Sequence, residues 1–107
     1  MDEAAPVGEP GQDEVAALPG AVLLEFGTSW CGHCAAAQGL IAAALDAHPQ
    51  VRRIKVEDGP GRRLGRHYRV KLWPTLVFLR DGQEQARLVR PADAASIAQA
   101  LATIQKC

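Results

Sequence analysis

The 107-residue sequence has no long apolar run, few aromatic residues and no net charge. No apolar stretch approaches the roughly 18 residues that a transmembrane helix needs, so the sequence predicts no membrane-spanning segment. Twelve basic residues balance twelve acidic ones, and we therefore expect no strong attraction to nucleic acid or to an anionic membrane. Three cysteines, an odd number, make a poor disulfide framework. What remains is a globular protein of one domain, because the chain is too short for two.

The first residues also lack a basic segment followed by an apolar stretch, which is the pattern of a secretory signal. We therefore expect a cytoplasmic protein, or a periplasmic one if a signal peptide was removed. Residues 1–20 are rich in acid, proline and glycine and are predicted to form a flexible acidic extension with a possible short helix over 13–18. Residues 21–107 are then the folded domain.

Apolar periodicity in residues 21–107 predicts strands over 21–26, 51–56, 75–80 and 84–89. Helices are predicted from an N-terminus at Cys31 to Pro49, over 62–69, and after Asp93, which can cap the last one. Asp81-Gly82 is the two-residue signal of a tight hairpin between the last two strands. The order of elements makes the first two strands parallel and the last two antiparallel, in one mixed sheet with helices on both faces.

Cys31 and Cys34 are three positions apart, where the first strand ends and a helix begins. The helix N-terminus favours a negative charge, so Cys31 is predicted to be an exposed thiolate that attacks a disulfide, with Cys34 behind it to resolve the product. The alternative is half of a zinc site, since this spacing also binds metal. The other candidate ligands form no second close pair, and we predict no metal site; they are His33, His48, His67 and Cys107.

At this point the sequence resembles the thioredoxin family, with an active-site CGHC like that of protein disulfide isomerases. The residues that carry the resemblance are Leu24-Glu25-Phe26, Trp30-Cys31-Gly32-His33-Cys34, Trp73-Pro74-Thr75 and the Asp81-Gly82 hairpin. The resemblance runs from about residue 21 to residue 104. It implies a thioredoxin-like α/β fold whose central mixed sheet has about four strands, with a weak N-terminal strand as a possible fifth.

The resemblance also implies a role for each matched position. Cys31 matches the nucleophile and Cys34 the resolving thiol. Pro74 matches a cis-proline whose loop lies against the dithiol and pairs with the substrate backbone. The substrate-binding surface that follows from this consists of Trp30, Gly32, Trp73, Pro74 and Thr75. A plain core position is the alternative for Trp30.

Glu25 is an acid in an otherwise apolar strand, and burial of such a group favours its neutral form. In the family an acid here lies beneath the cysteines and accepts a proton from the resolving thiol, often beside a lysine. We therefore predict that Glu25 helps to deprotonate Cys34 and that Lys55, on the neighbouring strand, modulates it. The alternatives are a Glu25 that points to solvent and a Lys55 that is an ordinary surface residue.

His33 is predicted to tune the redox potential. A histidine between the cysteines can donate a hydrogen bond to the Cys31 thiolate, or place positive charge beside it, and so stabilise the reduced form. The alternative is an exposed side chain with little influence. Two further segments depart from the family: Gly39 stands where a proline often kinks the helix, and Arg90-Pro91 replaces a small glycine loop that many thioredoxins press against partners.

The function that follows is reduction or exchange of protein disulfides through Cys31 and Cys34. No bound cofactor is expected beyond this redox-active pair. The expected partners are protein or peptide disulfides and an external reductase or thiol donor, and the chain is expected to be monomeric. The alternative is a thioredoxin-fold chaperone or assembly factor that binds clients at Trp73-Pro74, with redox activity secondary. Cys107 is read as a spare terminal thiol.

Overall fold

A computed structural model of the protein describes residues 10–105. Its elements, in chain order, are α1 Gln12–Ala16, β1 Ala21–Gly27, α2 Gly32–Leu45, β2 Arg52–Glu57, α3 Arg63–His67, β3 Thr75–Arg80, β4 Gln83–Val89 and α4 Ala94–Ile104. The strands form one sheet in the order β2-β1-β3-β4. β1 is parallel to β2 and antiparallel to β3, and β4 is antiparallel to β3. The predicted mixed sheet of four strands is confirmed, and residues 10–105 contain no fifth strand.

Helices cover both faces of this sheet, as predicted, and each face has its own apolar core. One core joins α2 and α4 to inward-facing residues of β1 and β3, among them Leu23 and Phe78. The other joins α1 and α3 to the alternate residues of the same strands, such as Leu24 and Val77. Successive residues of a strand point to opposite faces. A continuous apolar sequence in β1 and β3 therefore supplies both cores, which is why these two strands occupy the centre of the sheet.

The segment before β1 packs against the domain that the sequence analysis begins at residue 21. Val15 of α1 is fully buried in the α1/α3 core. Gly20 exchanges hydrogen bonds with Asp81 in the β3–β4 turn, its N–H donating to the Asp81 carboxylate at 2.7 Å and its carbonyl accepting at 2.9 Å. Residues 12–20 are therefore part of the packed structure, while residues 1–9 of the predicted extension lie outside the described residues.

The β3–β4 turn shows why Asp81-Gly82 favours a hairpin. Asp81 and Gly82 both have positive φ, 51° and 81°, as a two-residue turn with the strand twist requires. A Cβ atom on Gly82 would lie 2.1 Å from the Ala16 carbonyl oxygen. The glycine therefore permits both the turn and the contact with α1.

Two sequence predictions about helix ends can be compared directly with the structure. Asp93 caps α4, because its carboxylate accepts from the Ser96 N–H at 2.8 Å. α2 runs from Gly32 to Leu45 and ends four positions before Pro49. Its N-cap residue is Cys31, which confirms the predicted position of this cysteine at the helix N-terminus. No helix in residues 10–105 has the length and apolarity to cross a membrane.

Candidate active site

Cys31 and Cys34 meet at the start of α2. Cys31 is the N-cap residue, and its Sγ accepts a hydrogen bond from the Cys34 N–H at 3.2 Å. Both cysteines are free thiols. The two thiols are more alike in burial than the sequence analysis predicts, since Cys31 is 9% exposed and Cys34 7%. The expectation of an exposed Cys31 is therefore wrong for the residue as a whole.

The two thiols differ sharply in acidity. A hydrogen bond from the Cys34 side chain lowers the pKa of Cys31. Burial is the next largest effect and opposes it, while the main-chain N–H groups of Cys34 and His33 and the positive charge of Arg90 each lower the pKa by a smaller amount. Burial raises the pKa of Cys34 to about 11, and its hydrogen bond to Cys31 acts in the same direction. The site therefore holds one readily formed thiolate and one thiol that stays protonated.

Space for Cys34 comes from Gly27, the last residue of β1. A Cβ atom at Gly27 would lie 2.5 Å from Cys34 Sγ, far closer than side-chain carbons approach sulfur. Gly27 and Cys34 also border a cleft of about 500 Å³ that contains Glu25, Lys55 and Glu57. The absence of a side chain at residue 27 thus lets the resolving thiol pack directly against the end of the central strand.

Glu25 is buried in this cleft, 5% exposed, and does not point to solvent. Its partners are Arg53, whose Nε donates at 2.8 Å, and Gln38, whose Nε2 donates at 2.7 Å. Arg53 also donates to Gln38, and Gln38 donates to the Cys34 carbonyl at 3.0 Å. The guanidinium compensates the buried carboxylate charge, and Gln38 connects that ion pair to the helix that carries the resolving thiol.

Arg53, and not the predicted Lys55, is the cation that pairs with Glu25. Lys55 lies opposite Glu25 in the parallel register of β1 and β2, but its side chain makes no ion pair with Glu25 in the described structure. Arg53 precedes it by two positions on the same face, and its planar guanidinium reaches the carboxylate and Gln38 together. The sequence shows that Arg53 and Lys55 lie on the same face of β2, because they are two positions apart. It does not show which of the two pairs with Glu25.

The cis-proline loop lies against Cys31. The Trp73–Pro74 peptide bond is cis, and the Trp73 carbonyl oxygen is 4.0 Å from Cys31 Sγ. Thr75 is 1% exposed, with its hydroxyl donating to the Leu72 carbonyl at 2.6 Å. The Thr75 side chain therefore faces inward, and the substrate-binding role of Thr75 stays a prediction.

Two tryptophans form the apolar surface beside the dithiol. Trp30 is 74% exposed, so it is not a core aromatic. Its ring meets that of Trp73 edge to face, with the centroids 5.6 Å apart. Trp73 Nε1 donates to Asp58 at 2.8 Å, which fixes its orientation. Asp58 fits because Gly65 leaves room for its carboxylate.

His33 and Gly32 lie on the exposed first turn of α2. The contribution of His33 to Cys31 comes from its main-chain N–H, whereas the sequence analysis assigned it to the ring. The positive side chain that acts on Cys31 belongs to Arg90, in the loop before α4. No metal site is apparent either, since within residues 10–105 no three His, Cys, Asp or Glu side chains are grouped to hold an ion.

Comparison with known proteins decides the family, since the thioredoxin family model matches residues 9–103. The chain belongs to the thioredoxin family. Thioredoxin 2 from Pseudomonas aeruginosa PAO1, in its reduced form, is 53% identical, with a TM-score of 0.82 over 97% of this chain and 96% of that one. The thioredoxin of Chlamydia trachomatis is 33% identical over 73% of this chain and 76% of its own length.

Protein disulfide-isomerase A2 from Homo sapiens is also similar, at 38% identity over 74% of this chain. This chain spans only 16% of that longer protein. It likewise spans 40% of the length of thioredoxin-2 from Pyricularia oryzae. Members of the thioredoxin family are disulfide oxidoreductases that use their own cysteine pair as the redox centre. The positions and acidities of Cys31 and Cys34 are those that this chemistry requires.

Proposed function

We propose that this thioredoxin-family protein reduces or exchanges protein disulfides through Cys31 and Cys34. The observation that carries the proposal is the 3.2 Å hydrogen bond from the Cys34 N–H to Cys31 Sγ at the start of α2, with the pKa of the two thiols shifted in opposite directions. The Cys31 thiolate is the attacking form. The protonated Cys34 does not compete for the first attack, so the order of the two steps follows from the site.

In the first step the Cys31 thiolate attacks one sulfur of a client disulfide. The client S–S bond breaks, one client thiolate leaves, and a mixed disulfide forms. Cys34 then loses its proton and attacks Cys31 Sγ, which releases the second client thiolate and forms the Cys31–Cys34 disulfide. Two electrons have passed to the client. An external reductase or thiol donor, which we propose as the second partner, returns them.

Glu25 is proposed as the acceptor of the Cys34 proton. The cleft contains both groups, and at about 500 Å³ it is large enough for water to connect them. Arg53 and Gln38 each occupy one side of the carboxylate, which has about four lone-pair sites in all. Acceptor capacity therefore remains for a proton that leaves Cys34. Lys55, on the wall of the same cleft, is proposed to modulate this transfer.

The client backbone is proposed to bind along the Trp73-Pro74 loop, beside the exposed ring of Trp30. The Trp73 carbonyl already lies 4.0 Å from Cys31 Sγ, so a chain paired there brings its disulfide to the nucleophile. A chaperone that binds clients without redox chemistry is the less favoured alternative, because both thiols are placed and differentiated for exchange.

Reduction of insulin with dithiothreitol as electron donor tests the function. Wild type is expected to turn over, Cys31→Ser to lose turnover, and Cys34→Ser to accumulate mixed disulfide without completing the cycle. Cys107→Ser is the matched control, since it removes a thiol that the proposal does not use. Turnover that persists in Cys31→Ser overturns the proposal, and client binding that survives loss of both active-site thiols supports the chaperone instead.

The CGHC sequence is proposed to make the pair less reducing than that of a CGPC thioredoxin. Groups that stabilise the Cys31 thiolate stabilise the reduced form, and here they include the His33 N–H and Arg90. Equilibration against glutathione should give a potential above about −270 mV, the general value for thioredoxin. A measured potential at or below about −270 mV contradicts this expectation.

A further inference from the structure

Arg90 is fastened to the loop that contacts Cys31. It lies between β4 and α4, and its main-chain N–H donates to the Pro74 carbonyl at 2.9 Å. Its side-chain Nε donates to the Trp73 carbonyl, also at 2.9 Å. Cys31 Sγ lies 4.0 Å from that same Trp73 oxygen. The guanidinium and the nucleophile thus share one carbonyl group, which fixes the cation beside the reacting sulfur.

The backbone of Arg90 is in a conformation that favours glycine. Its φ is +51°, in the left-handed region that costs free energy for any residue with a Cβ atom. Glycine would adopt this φ without that cost. The backbone conformation at residue 90 would favour glycine over arginine. We therefore look for a role of the Arg90 side chain at the site.

Arg90 gives the pocket beside it a positive charge. Arg90 and His33 line a shallow pocket beside the first turns of α2, whose other walls are apolar residues such as Leu40 and Pro91. No acidic residue lines this pocket. The acids of the site, Glu25 and Glu57, line a different cleft, which Cys31 and Cys34 both border. A substrate group next to Cys31 on the Arg90 side therefore meets positive charge.

We propose that Arg90 is a specificity-determining residue that favours disulfides carrying a carboxylate next to the sulfur that Cys31 attacks. The proposal rests on the proposed oxidoreductase function and names its substrate class. Arg90 uses only its Nε within residues 10–105, so its two terminal nitrogens are available to an incoming anion. A guanidinium binds carboxylate through charge-assisted hydrogen bonds. The exchange step itself is unchanged.

The test uses the reduced full-length protein and two small disulfides of opposite character. 5,5′-Dithiobis(2-nitrobenzoate) carries two carboxylates, and 4,4′-dithiodipyridine is neutral at pH 8. Second-order rate constants are measured for both at low ionic strength, and their ratio is compared among variants. A change in the thiolate fraction of Cys31 affects both reagents equally and cancels in the ratio, so the ratio reports the charge of the substrate.

In Arg90→Gln the ratio of anionic to neutral rate constants is expected to fall about fivefold, as the loss of one nearby positive charge predicts. Arg90→Lys should keep the ratio within about twofold of wild type, because it keeps the charge. Arg69→Gln is the matched control: Arg69 also has positive φ, 58°, and lines neither the pocket nor the cleft beside Cys31. Added salt should lower the ratio in wild type and leave it nearly constant in Arg90→Gln.

A pair of disulfide peptides that differ only by Glu or Gln beside the cysteine extends the test to the natural chemistry. The Glu peptide should react faster with wild type and lose that advantage in Arg90→Gln. An unchanged ratio in Arg90→Gln, with insulin still reduced, overturns the assignment of Arg90 alone. Loss of insulin reduction in wild type overturns the proposed function instead, so the two failures are distinguishable.

Discussion

Alkylation with iodoacetamide at different pH values separates the two thiols of the reduced protein. The pKa of Cys31 is lowered by its hydrogen bond with Cys34, and that of Cys34 is raised to about 11 by burial. Cys31 should therefore become reactive below its ordinary pKa of about 9, while Cys34 stays protected until about pH 11. Peptide mapping by mass spectrometry reads each site and separates both from Cys107.

Cys34→Ser supplies the control for this experiment. It weakens the hydrogen bond that contributes most to the acidity of Cys31, so the midpoint for Cys31 alkylation should move to higher pH. In urea both thiols should react alike, because the hydrogen bond and the burial are lost. Equal rates for the two thiols in the native protein would contradict the arrangement described for this site.

Glu25→Gln tests proton transfer from Cys34. The amide cannot accept that proton, so resolution of a preformed mixed disulfide should slow by about tenfold or more. Glu57→Gln is a suitable control, because Glu57 lines the same cleft but is exposed on β2. Rapid quenching and separation of the mixed disulfide give the rate. An unchanged rate in Glu25→Gln removes the role of the carboxylate and leaves Glu25 as the partner of Arg53.

At the scale of elements, Gly27 at the end of β1 and Gly39 inside α2 should respond in opposite ways to alanine. Gly27→Ala places a Cβ atom where Cys34 Sγ lies, at 2.5 Å, so we expect a loss of about 2 kcal/mol in the free energy of unfolding. Cys34 Sγ must also move, and resolution should slow. Urea denaturation and mixed-disulfide kinetics measure the two effects.

Gly39→Ala is the matched variant in the interior of α2. No heavy atom lies within 4 Å of a Cβ built at Gly39, and the residue is exposed to solvent. Alanine should therefore stabilise the helix by about 1 kcal/mol, through its higher helix propensity. Redox kinetics should not change. Destabilisation by Gly39→Ala would contradict this expectation. It would show that α2 requires glycine at this position, for example because the helix bends there.

The elements could be predicted from the sequence because their signals are local. The apolar periodicity is a property of each strand or helix itself. Asp93 directly precedes the helix that it caps, and Asp81-Gly82 forms the turn that it predicts. The dithiol could be predicted in the same way, since its two cysteines are three residues apart. The side chains that contact the site could not be predicted. Arg53 reaches Glu25 only through the register of two strands, and Arg90 contacts Trp73, which lies 17 residues away in the sequence.

Cys31 is less exposed than its sequence position predicts, for a related reason. The helix-terminal position of Cys31 predicts its charge but not what covers it, and the Trp73 loop that approaches it comes from 42 residues further along the chain. This error concerns a contact between distant segments, which sequence spacing does not describe.

At the scale of the whole molecule, the sheet separates the dithiol from the apolar core that α1 and α3 cover. Cys34 lies in α2, which packs with α4 on one face, while α1 and α3 cover the other. β1 serves both faces through alternate residues, with Glu25 turned toward α2 and Leu24 toward the opposite core. Stability and redox chemistry should therefore be separable by mutation on the α1 face.

Val15→Ala on α1 tests this separation. Val15 is fully buried, and removal of its two methyl groups should cost about 2 kcal/mol of unfolding free energy. Gln12→Ala, an exposed change in the same helix, should stay within about 0.5 kcal/mol of wild type. Both variants should keep the pH profile of Cys31 alkylation and the rate of insulin reduction at temperatures where they are folded. A Val15→Ala protein with native stability would contradict the packing of α1, and one with a shifted alkylation profile would show that the two faces are coupled through β1.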